Sequence, residues 1–428
     1  MLATHGLTLE KALCESRVGF ELNRVTAARA DHWLILDGAL QHKSKGFFSV
    51  TGVKFGAPDS ACVMLYQPQT AITGLISARV DGERRFLLQA RAEPGCIGEA
   101  QFGPTVQSTP ANFMRIHGGA KPAYVDTLIE FDPNISLLDD TTQLDLGARY
   151  LFKSKRSIFA EAHSPPPPQR GFIWATRQAI YEAVRRSAFL NIDLRSILSI
   201  ASWSAHEEDG ELTPEADLVR RSLSAPIRPQ IVGDVLSALA RTNPPVMRFV
   251  PLEALENWCI TEWGISERVP RQRFSVDFFE VRTPLREVDH WVQPLVNSAS
   301  KGHVVLACRE RHKFLEFFIR PIGEHGLATG AALAPSYLRY PGAIGEPPEW
   351  LSPHLSNVWA ESEESDEGGR FYRDSSVYQV VVCGDDEAAP PDKIGCWLRL
   401  SELKLFLEMS NTCTIQLRGV SSHLISVR

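Results

Sequence analysis

The sequence predicts an α+β fold made of two tandem, homologous modules, each a mixed β-sheet flanked by helices. Three observations support this class. Short motifs recur in the same order in both halves of the 428-residue chain. Each half begins with runs of branched and aromatic residues typical of strands, and each half closes with helical periodicity. A duplicated unit of about 200 residues therefore accounts for nearly the whole chain.

The matched motifs define the repeat and its boundaries. "FFSVTGVKF" (47–55) matches "FSVDFFEVR" (274–282), and each is followed by a Gln-Pro pair, Gln67-Pro68 and Gln293-Pro294. Later matches pair single side chains: Arg149 with Arg370, Trp174 with Trp397, and Arg195 with Arg418. We predict a first module over residues 1–205 that holds the active pocket, a helical connector over 206–250, and a degenerate second module over 251–428.

Local patterns predict the individual elements. Strands are expected at "ITGLISARV" (72–80), "RFLLQARA" (85–92), "HVVLACRE" (303–310) and "KFLEFFIR" (313–320). Thr176 is expected to cap a helix over "RQAIYEAVRRSAF", and "LEALENW" (252–258) and "SELKLFLEM" (401–409) have the same helical period. "SPPPPQR" (164–170) predicts a stiff spacer, and the acidic run "ESEESDE" (361–367) predicts a solvated loop.

Composition limits the class of partner. The 45 basic and 51 acidic residues give a net charge of -6 without a long basic stripe, so nucleic acid is not an expected partner. The eight cysteines form no metal-binding spacing, and no apolar run reaches the roughly 18 residues of a membrane span. The first 20 residues do not predict a secretory signal. We therefore expect a cytoplasmic protein that does not bind a membrane.

Comparison of the two halves selects candidate site residues. Features kept in both halves are expected to support the fold, whereas polar groups present in one half are candidates for chemistry. In "GPTVQSTPANF" (103–113) the first half has Thr105, Gln107, Thr109 and Asn112, and the second half replaces them with Ser336, Leu338, Tyr340 and Ala343. This change is expected where a pocket has been filled. The alternative is that these side chains only supply turn hydrogen bonds.

Other candidates lie at strand ends and in glycine-rich turns. Glu93 ends a predicted strand at "EPG", where a surface salt bridge is the alternative role. His117 and Gly118 belong to "HGG", where glycine lets the backbone approach a ligand. His42 precedes the first strand and is equally consistent with a solvated loop histidine.

A basic segment is also specific to the first half. "YLFKSKRS" (150–157) contains Lys153, Lys155 and Arg156, and strand alternation places the two lysines on one face, as a diphosphate site requires. A solvated basic face is the alternative, but the second half has lost these charges. Arg149 and Arg195 recur in both halves, so a structural role competes with substrate binding for them.

The ordered motifs resemble a known family. "HKSKGFFSV", "LLQARAEPG", "GPTVQSTPANFMRIHGG", "GARY" and "NIDLRSIL" within a duplicated chain are similar to those of the nucleoside-diphosphate hexose 2,3-dehydratases of deoxysugar biosynthesis. The resemblance implies two Nudix-like modules, a homodimer, and a dTDP-linked 4-keto-6-deoxy sugar as substrate. It also implies that no metal or other cofactor is needed, and the chain lacks the Nudix carboxylate cluster that would hold magnesium.

The resemblance also implies roles for these residues. Dehydration of a 4-keto sugar needs a base for C3, an acid for the departing C2 hydroxyl and donors for the oxyanion at O4. Tyr124 and Lys153 are favoured for proton transfer or oxyanion contact, followed by Glu93 and His117. The substrate-binding candidates are His42, Thr105, Gln107, Thr109, Asn112, Gly118, Arg149, Lys155, Arg156 and Arg195.

Three other functions remain open on the sequence alone. The segments "LDLGARY" and "FKSKRS" differ from the usual family motifs, which motivates a catalytically silent nucleotide-sugar binder. A magnesium-dependent Nudix hydrolase and an isomerase acting at C3 are the others. The labile diketone that a dehydratase would release also predicts a downstream 3-ketoreductase as a partner.

Overall fold

The computed structural model describes residues 2–56, 61–130, 132–201, 213–268, 273–384 and 394–426. The helices are α1 (Leu2–Arg17), α2 (Pro110–Phe113), α3 (Val125–Ile129), α4 (Arg177–Val184), α5 (Ile192–Ile200), α6 (Pro214–Leu223), α7 (Pro229–Ala240), α8 (Leu400–Glu408) and α9 (Ile415–Ser421).

The strands fall into two series. The first is β1 (Glu21–Arg24), β2 (Trp33–Leu36), β3 (Ala39–His42), β4 (Ser49–Phe55), β5 (Ala61–Tyr66), β6 (Ala71–Val80), β7 (Glu83–Ala92), β8 (Ala100–Gly103), β9 (Val106–Ser108), β10 (Ile135–Leu144), β11 (Tyr150–Leu151), β12 (Ser154–Ala162) and β13 (Phe172–Thr176). The second is β14 (Met247–Val250), β15 (Trp258–Thr261), β16 (Gly264–Glu267), β17 (Phe274–Arg282), β18 (His290–Ser298), β19 (Gly302–Arg311), β20 (Phe314–Gly323), β21 (Ala331–Ala334), β22 (Tyr337–Arg339), β23 (Val358–Ser365), β24 (Ser375–Val382) and β25 (Cys396–Arg399).

The two series have the same element order, so the predicted α+β class and internal repeat are confirmed. We call residues 21–200 the first copy and residues 247–421 the second copy. Helices α6 and α7 lie between them, within the predicted connector. The predicted boundary at residues 205/206 falls outside the described residues, and the division into domains stays a prediction.

The large sheet has the same topology in both copies. In the first copy the strand order is β10-β12-β6-β7-β13, and in the second it is β23-β24-β19-β20-β25. The central pair is parallel in each case, β12 with β6 and β24 with β19. Ile72 pairs with Ser108 as His303 pairs with Arg339, so the equivalence of residues 103–113 with 334–344 is confirmed.

The smaller sheets exchange strands between the copies. Strand β1 of the first copy pairs with β17 of the second, and β14, at the start of the second copy, pairs with β4 of the first. Two backbone hydrogen bonds repeat this reciprocity, from Gly95 N to Gly368 O and from Gly326 N to Gly147 O, both 2.9 Å. The two copies therefore form one folded unit with an approximate internal two-fold relationship.

Most predicted elements are confirmed by the structure. The four predicted strands correspond to β6, β7, β19 and β20, and "SELKLFLEM" lies in α8 and its C-cap. Thr176 caps α4 as predicted, because its side-chain oxygen accepts a hydrogen bond from Ala179 N. No helix in the described ranges combines the length and apolar character needed to cross a membrane.

The helix predicted over "LEALENW" is wrong. Only Leu252–Ala254 forms a single 3-10 turn, and Trp258 begins β15. Leu252, Leu255 and Trp258 are all buried in the core, which is why their spacing resembled the face of a helix.

The solvated loop predicted over "ESEESDE" is also wrong. Residues 358–365 form β23, which pairs with β24, and the run continues into a buried turn. Glu364 is almost fully buried and lies 2.5 Å from the guanidinium of Arg195. The inward-facing carboxylates are tolerated because they meet buried cations or hydrogen-bond donors.

The two Gln-Pro pairs are not equivalent. Gln67 follows the end of β5, whereas Gln293 lies within β18. By strand register, Val50 corresponds to Val276 and Leu65 to Val296, so the second copy has five more residues between these positions. The insertion falls at the β17–β18 turn, which contributes to the site described below.

Candidate active site

A cavity of about 430 Å³ lies between the two copies. Eight of the predicted site residues line it: His42, Glu93, Gln107, Thr109, Asn112, His117, Lys153 and Lys155. The second copy supplies the facing wall, including Arg286, Glu287, Trp291, Gln293, Glu367 and Arg370. The predicted pocket thus borders the first copy but is completed by the second.

One wall presents neutral polar groups. Thr109 and Asn112 lie at the N-cap and in the first turn of α2, and the Thr109 hydroxyl oxygen is buried with no partner in the described part of the chain. Gln107 is on β9, and its side-chain oxygen accepts a hydrogen bond from Asn191 at 2.9 Å. This wall can therefore offer a hydroxyl and two amide groups to a bound molecule.

His117 adds a neutral ring to this wall. Its Nδ1 accepts a hydrogen bond from Gly119 N at 2.8 Å, so the neutral ring carries its proton on Nε2. That Nε2 is buried without a partner among the described residues. Burial lowers the pKa of His117, which keeps the ring neutral near pH 7. His117 can consequently act as a hydrogen-bond donor toward the cavity.

A buried cluster of four charges forms the floor. Lys153 Nζ lies 3.1 Å from Asp145 Oδ2, and Lys155 Nζ lies 3.2 Å from the same oxygen and 2.6 Å from Asp193 Oδ1. Lys153 directly precedes β12 and Lys155 is its second residue, and both side chains line the cavity, as the alternation predicted. Two carboxylates neutralise two ammonium groups, so the cluster offers little net positive charge.

The lysines of this cluster differ in proton affinity. Burial lowers the pKa of Lys153 despite the nearby Asp145 carboxylate. Burial alone would also lower the pKa of Lys155, but the carboxylates of Asp145 and Asp193 outweigh it and raise that pKa. Lys153 is therefore the better candidate for gaining and losing a proton at the cavity surface.

Glu93 is held between two arginines. Its Oε1 lies 2.8 Å from Arg91 and 2.5 Å from Arg286 of the second copy. Burial would raise the pKa of Glu93, but the two guanidinium groups lower it to about 2. Glu93 is therefore an ionised and weakly basic carboxylate that ties the two copies together beside the cavity.

Part of the cavity lining is aromatic and cationic. Trp33, Phe48 and Trp291 belong to it, and the Arg370 guanidinium lies 5.3 Å from the centre of the Phe48 ring. Arg370 has no ion pair among the described residues. His42 packs edge-on to Trp33, with the ring centres 5.5 Å apart, and burial lowers its pKa. Flat ring faces next to an unpaired cation suit a nucleobase and an anionic group.

Tyr124 and Thr105 lie away from the cavity lining. The Tyr124 hydroxyl donates to Pro167 O at 2.7 Å and accepts from Gln169 N at 2.9 Å, which anchors the proline-rich spacer. Thr105 bridges Ile76 N and Leu87 O. In the second copy Ser336 makes the same bridge, from Ala307 N to Phe318 O, so this hydroxyl serves the fold in both copies.

Four other predicted residues also lie outside the lining. Arg156 forms two hydrogen bonds with Asp140 at the surface. Arg195 is fully buried against Glu364, and Arg149 donates to Pro341 O while lying over the Phe274 ring. Gly118 has a φ of +73° in the turn that carries His117. For Arg149 and Arg195, the structural alternative considered from the sequence agrees with these contacts.

The corresponding region of the second copy has different side chains. Glu267 and Arg273 form a close ion pair at 2.6 Å, where the first copy has the aromatic rings of His42 and Phe47. Leu338 and Tyr340 replace the amide and hydroxyl of the polar wall. Arg149 covers Phe274 here, as Arg370 covers Phe48 in the cavity.

Sequence reasoning missed the wall supplied by the second copy. Arg286 and Glu287 lie in the inserted β17–β18 turn, and Glu367 lies in the acidic run assigned to solvent. The five-residue insertion in the repeat was a usable signal, but matching the Gln-Pro pairs concealed it. Asp145 and Asp193 were also missed, although a pair of buried lysines requires anionic partners.

Within the described ranges, no three His, Cys, Asp or Glu side chains are grouped so that they could hold a metal ion. The absence of a metal requirement stays a prediction.

A family model described as NDP-hexose 2,3-dehydratase matches the chain in two segments, residues 11–201 and 232–424. These segments correspond closely to the two copies. Together they cover well over half of the chain.

Three curated proteins share this similarity over most of their lengths. The chain is 28% identical to a protein of Saccharopolyspora spinosa over 95% of this chain and 88% of the relative. It is 26% identical to proteins of Streptomyces violaceoruber, over 89% and 87%, and of Amycolatopsis orientalis, over 93% and 85%. All three are named dTDP-4-dehydro-6-deoxy-α-D-glucopyranose 2,3-dehydratase.

Proposed function

The chain belongs to the NDP-hexose 2,3-dehydratase family, and from this premise we propose that it dehydrates a dTDP-linked 4-keto-6-deoxyglucose across C2 and C3. The product would be a 3,4-diketo-2,6-dideoxy sugar nucleotide, which makes the enzyme a hydro-lyase. The observation that supports this most is that Lys153 lies in the same cavity as a wall of neutral hydrogen-bond donors. Burial lowers the pKa of Lys153, which suits it to proton transfer.

The reaction can proceed without any change of oxidation state overall. The C4 ketone acidifies the proton on C3, and its removal gives an enolate with negative charge on O4. Collapse of the enolate expels the C2 hydroxyl, which leaves as water after it gains a proton. The resulting enol then takes a proton at C2 and becomes the C3 ketone. The protein must therefore supply one proton acceptor, one proton donor and stabilisation of the O4 charge.

Lys153 is our choice for proton transfer. Its neutral amine accepts the C3 proton, and the ammonium that forms can return this proton to the departing hydroxyl. Asp145, 3.1 Å away, stabilises the ammonium, and burial favours the neutral amine, so both protonation states are accessible. Glu93 is a poor base because its pKa is about 2, and Tyr124 lies outside the cavity lining.

The neutral wall is our choice for binding the sugar and its developing charge. His117 carries its proton on Nε2, and Gln107 has a free NH2 group because its oxygen is already bonded to Asn191. Thr109 and Asn112 complete the wall. Donors fixed in place before the reaction stabilise an oxyanion more effectively than donors that must reorient.

Arg370 is our choice for the diphosphate. Sequence reasoning favoured Arg149, Lys155, Arg156 and Arg195, but the structure shows each of these engaged elsewhere. Arg370 lines the cavity and has no ion pair among the described residues. A guanidinium can meet phosphate oxygens with two parallel hydrogen bonds.

The function is tested by trapping the product. Purified protein is incubated with dTDP-4-keto-6-deoxyglucose, a 3-ketoreductase and reduced nicotinamide cofactor, and both hydride consumption and product mass are followed. We expect consumption that depends on this protein and a trapped sugar that has lost one water. A control without the protein measures direct reduction of the substrate.

Each alternative predicts a different result when the same protein and substrate are used. Calorimetric binding without hydride consumption would identify a silent binder. Release of nucleoside monophosphate with magnesium would identify a Nudix hydrolase. A product that keeps its C2 oxygen would identify an isomerase, and any of these three results would overturn the proposal.

Four further expectations stay predictions. These are the Nudix-like description of each copy, the homodimer, the cytoplasmic location and the downstream 3-ketoreductase. Size-exclusion chromatography with light scattering tests the oligomeric state directly.

A further inference from the structure

We propose that Asn191 is a positioning residue that fixes the amide of Gln107 with its NH2 group toward the cavity. Naming the substrate oxygen that this group meets rests on the proposed dehydration. The orientation itself rests only on the contacts described below.

Both the oxygen and the nitrogen of the Asn191 side-chain amide form hydrogen bonds. As the N-cap of α5, its Oδ1 accepts a hydrogen bond from Leu194 N at 3.0 Å. A backbone N–H can only donate, so the capping atom must be the oxygen and the remaining atom must be Nδ2. Nδ2 then donates to Gln107 at 2.9 Å, and the partner atom on Gln107 must be its oxygen.

The orientation of Gln107 therefore follows from the start of a helix. With Oε1 bonded to Asn191, the Nε2 group is the part of the amide left for the cavity that Gln107 lines. It has no partner among the described residues. Asn191 lies two residues before Asp193, which binds Lys155, so the start of α5 supports both the polar wall and the charged floor.

Gly103 leaves room for this hydrogen bond. A Cβ atom at position 103 would lie 2.9 Å from both Asn191 Nδ2 and Arg91 Cδ, and 3.3 Å from Gln107 Oε1. The first distance is too short for an undisturbed contact, so any larger residue would displace the pair. The backbone of Gly103 lies in a regular strand, which any residue can adopt. Glycine is therefore required here by the close approach of neighbouring side chains.

The second copy provides an internal comparison. At the three equivalent positions it has Ala334, Leu338 and Thr414. Thr414 still caps its helix, because its Oγ1 accepts a hydrogen bond from Leu417 N. Thr414 has no NH2 group to donate, however, and Leu338 has no side-chain oxygen to accept a hydrogen bond. The methyl of Ala334 fits because no such hydrogen bond is present. All three positions differ together, which is expected if they form one functional unit.

The chemical consequence is a fixed polarity at the sugar. An NH2 group attracts the C4 ketone oxygen and, more strongly, the enolate oxygen. A reversed amide would place its own oxygen there and repel the developing charge. Asn191 would therefore affect turnover more than substrate affinity, although it lies behind Gln107 and does not itself line the cavity.

Two substitutions of Asn191 test the orientation. Asn191→Asp keeps the cap but can only accept from Gln107, so it forces the reversed amide; we expect kcat to fall on the order of 10²-fold with a much smaller change in KM. Asn191→Ser keeps the cap and removes the donor, so the amide rotates freely; we expect a fall of about tenfold. Thr414→Asp is the matched control and should keep wild-type activity. Melting temperatures should stay close to wild type in all three.

A second pair of substitutions tests the Asn191–Gln107 hydrogen bond without adding a charge. Gly103→Ala should lower kcat, and the reciprocal change Ala334→Gly should leave it unchanged. Equal activity losses in Asn191→Asp and Asn191→Ser, or wild-type kcat in either Asn191→Asp or Gly103→Ala, would overturn the proposal.

The test separates this proposal from the proposed function. If the wild-type protein fails to dehydrate the substrate, the function is wrong, and calorimetric affinity for the 4-keto sugar nucleotide becomes the readout for the same variants. Weaker binding by Asn191→Asp than by Asn191→Ser would then still support the positioning role. Equal affinities for the two variants would overturn it.

Discussion

Glu93 and Glu324 occupy equivalent positions in the two copies, directly after β7 and β20, yet their environments are opposite. Glu93 lies between Arg91 and Arg286, and its pKa is lowered to about 2. Glu324 packs against Gly147 and has no ion pair among the described residues, and burial raises its pKa to about 8. At neutral pH the cavity thus has an ionised carboxylate where the corresponding region of the second copy has a neutral carboxyl group.

The first prediction concerns the dependence of stability on pH. Glu324 binds its proton more tightly in the folded protein, so its contribution to stability is complete below pH 4.5 and is lost as pH rises toward 8. Glu324→Gln should remove this loss, which for one group amounts to at most about 1.4 kcal/mol per pH unit. Chemical denaturation at pH 5 and pH 8 measures the free energy of unfolding of wild type and variant. If the stability difference between wild type and variant does not change with pH, the buried, proton-binding environment described for Glu324 is wrong.

The second prediction concerns the ion pairs that join the copies. Arg286→Met leaves Glu93 buried with one cation instead of two, so we expect a loss of stability of about 3 kcal/mol, the lower end for breaking a buried pair. The double variant with Glu93→Gln should not recover this loss, because the buried Arg91 guanidinium would then lose its carboxylate partner. Urea unfolding measures both. A single variant as stable as wild type would show that this contact does not hold the copies together.

The third prediction concerns proton transfer. Lys153→Met should reduce kcat by roughly 10³-fold, within the range for loss of a general acid or base. Lys301→Met, which removes an exposed lysine paired with Glu363, should keep wild-type kcat. Because Lys153 must lose its proton before it can accept one from C3, wild-type kcat should rise with pH until its lowered pKa is passed. Near-normal turnover by Lys153→Met would move the proton-transfer role to another residue.

The fourth prediction concerns the diphosphate. Arg370→Met should raise KM for the sugar nucleotide about tenfold or more, since a charge-assisted hydrogen bond contributes about 1.5 kcal/mol or more. Arg311→Met, on an exposed strand end, should leave KM unchanged. Steady-state kinetics with varied substrate gives both values. An unchanged KM for Arg370→Met would show that the diphosphate binds elsewhere.

The sequence predicts most of the architecture because local signals carry it. Strands such as β6 and β20 and the capped helix α4 follow from short patterns, and the repeat follows from ordered motifs. The polar wall was found because Gln107 and Thr109 differ from Leu338 and Tyr340 at equivalent positions. The comparison of the two copies therefore selected residues that line the cavity, although it also selected Thr105, which makes a structural bridge in both copies.

The rest depends on contacts between distant segments. Arg286 meets Glu93 across 193 residues of chain, and no local pattern reports such a contact. The acidic run was misread because the burial of Glu364 depends on Arg195, which lies in the other copy. Tyr124 was favoured for its chemistry, but its place beside the proline-rich spacer follows from tertiary packing.

The most direct test of the central claim is the mass of the trapped product after turnover in deuterium oxide. If the cavity removes the C3 proton and expels the C2 hydroxyl, the product will have lost one water and gained at least one deuterium at C2. Recovery of a sugar that retains its C2 oxygen, with or without deuterium at C3, would contradict the account.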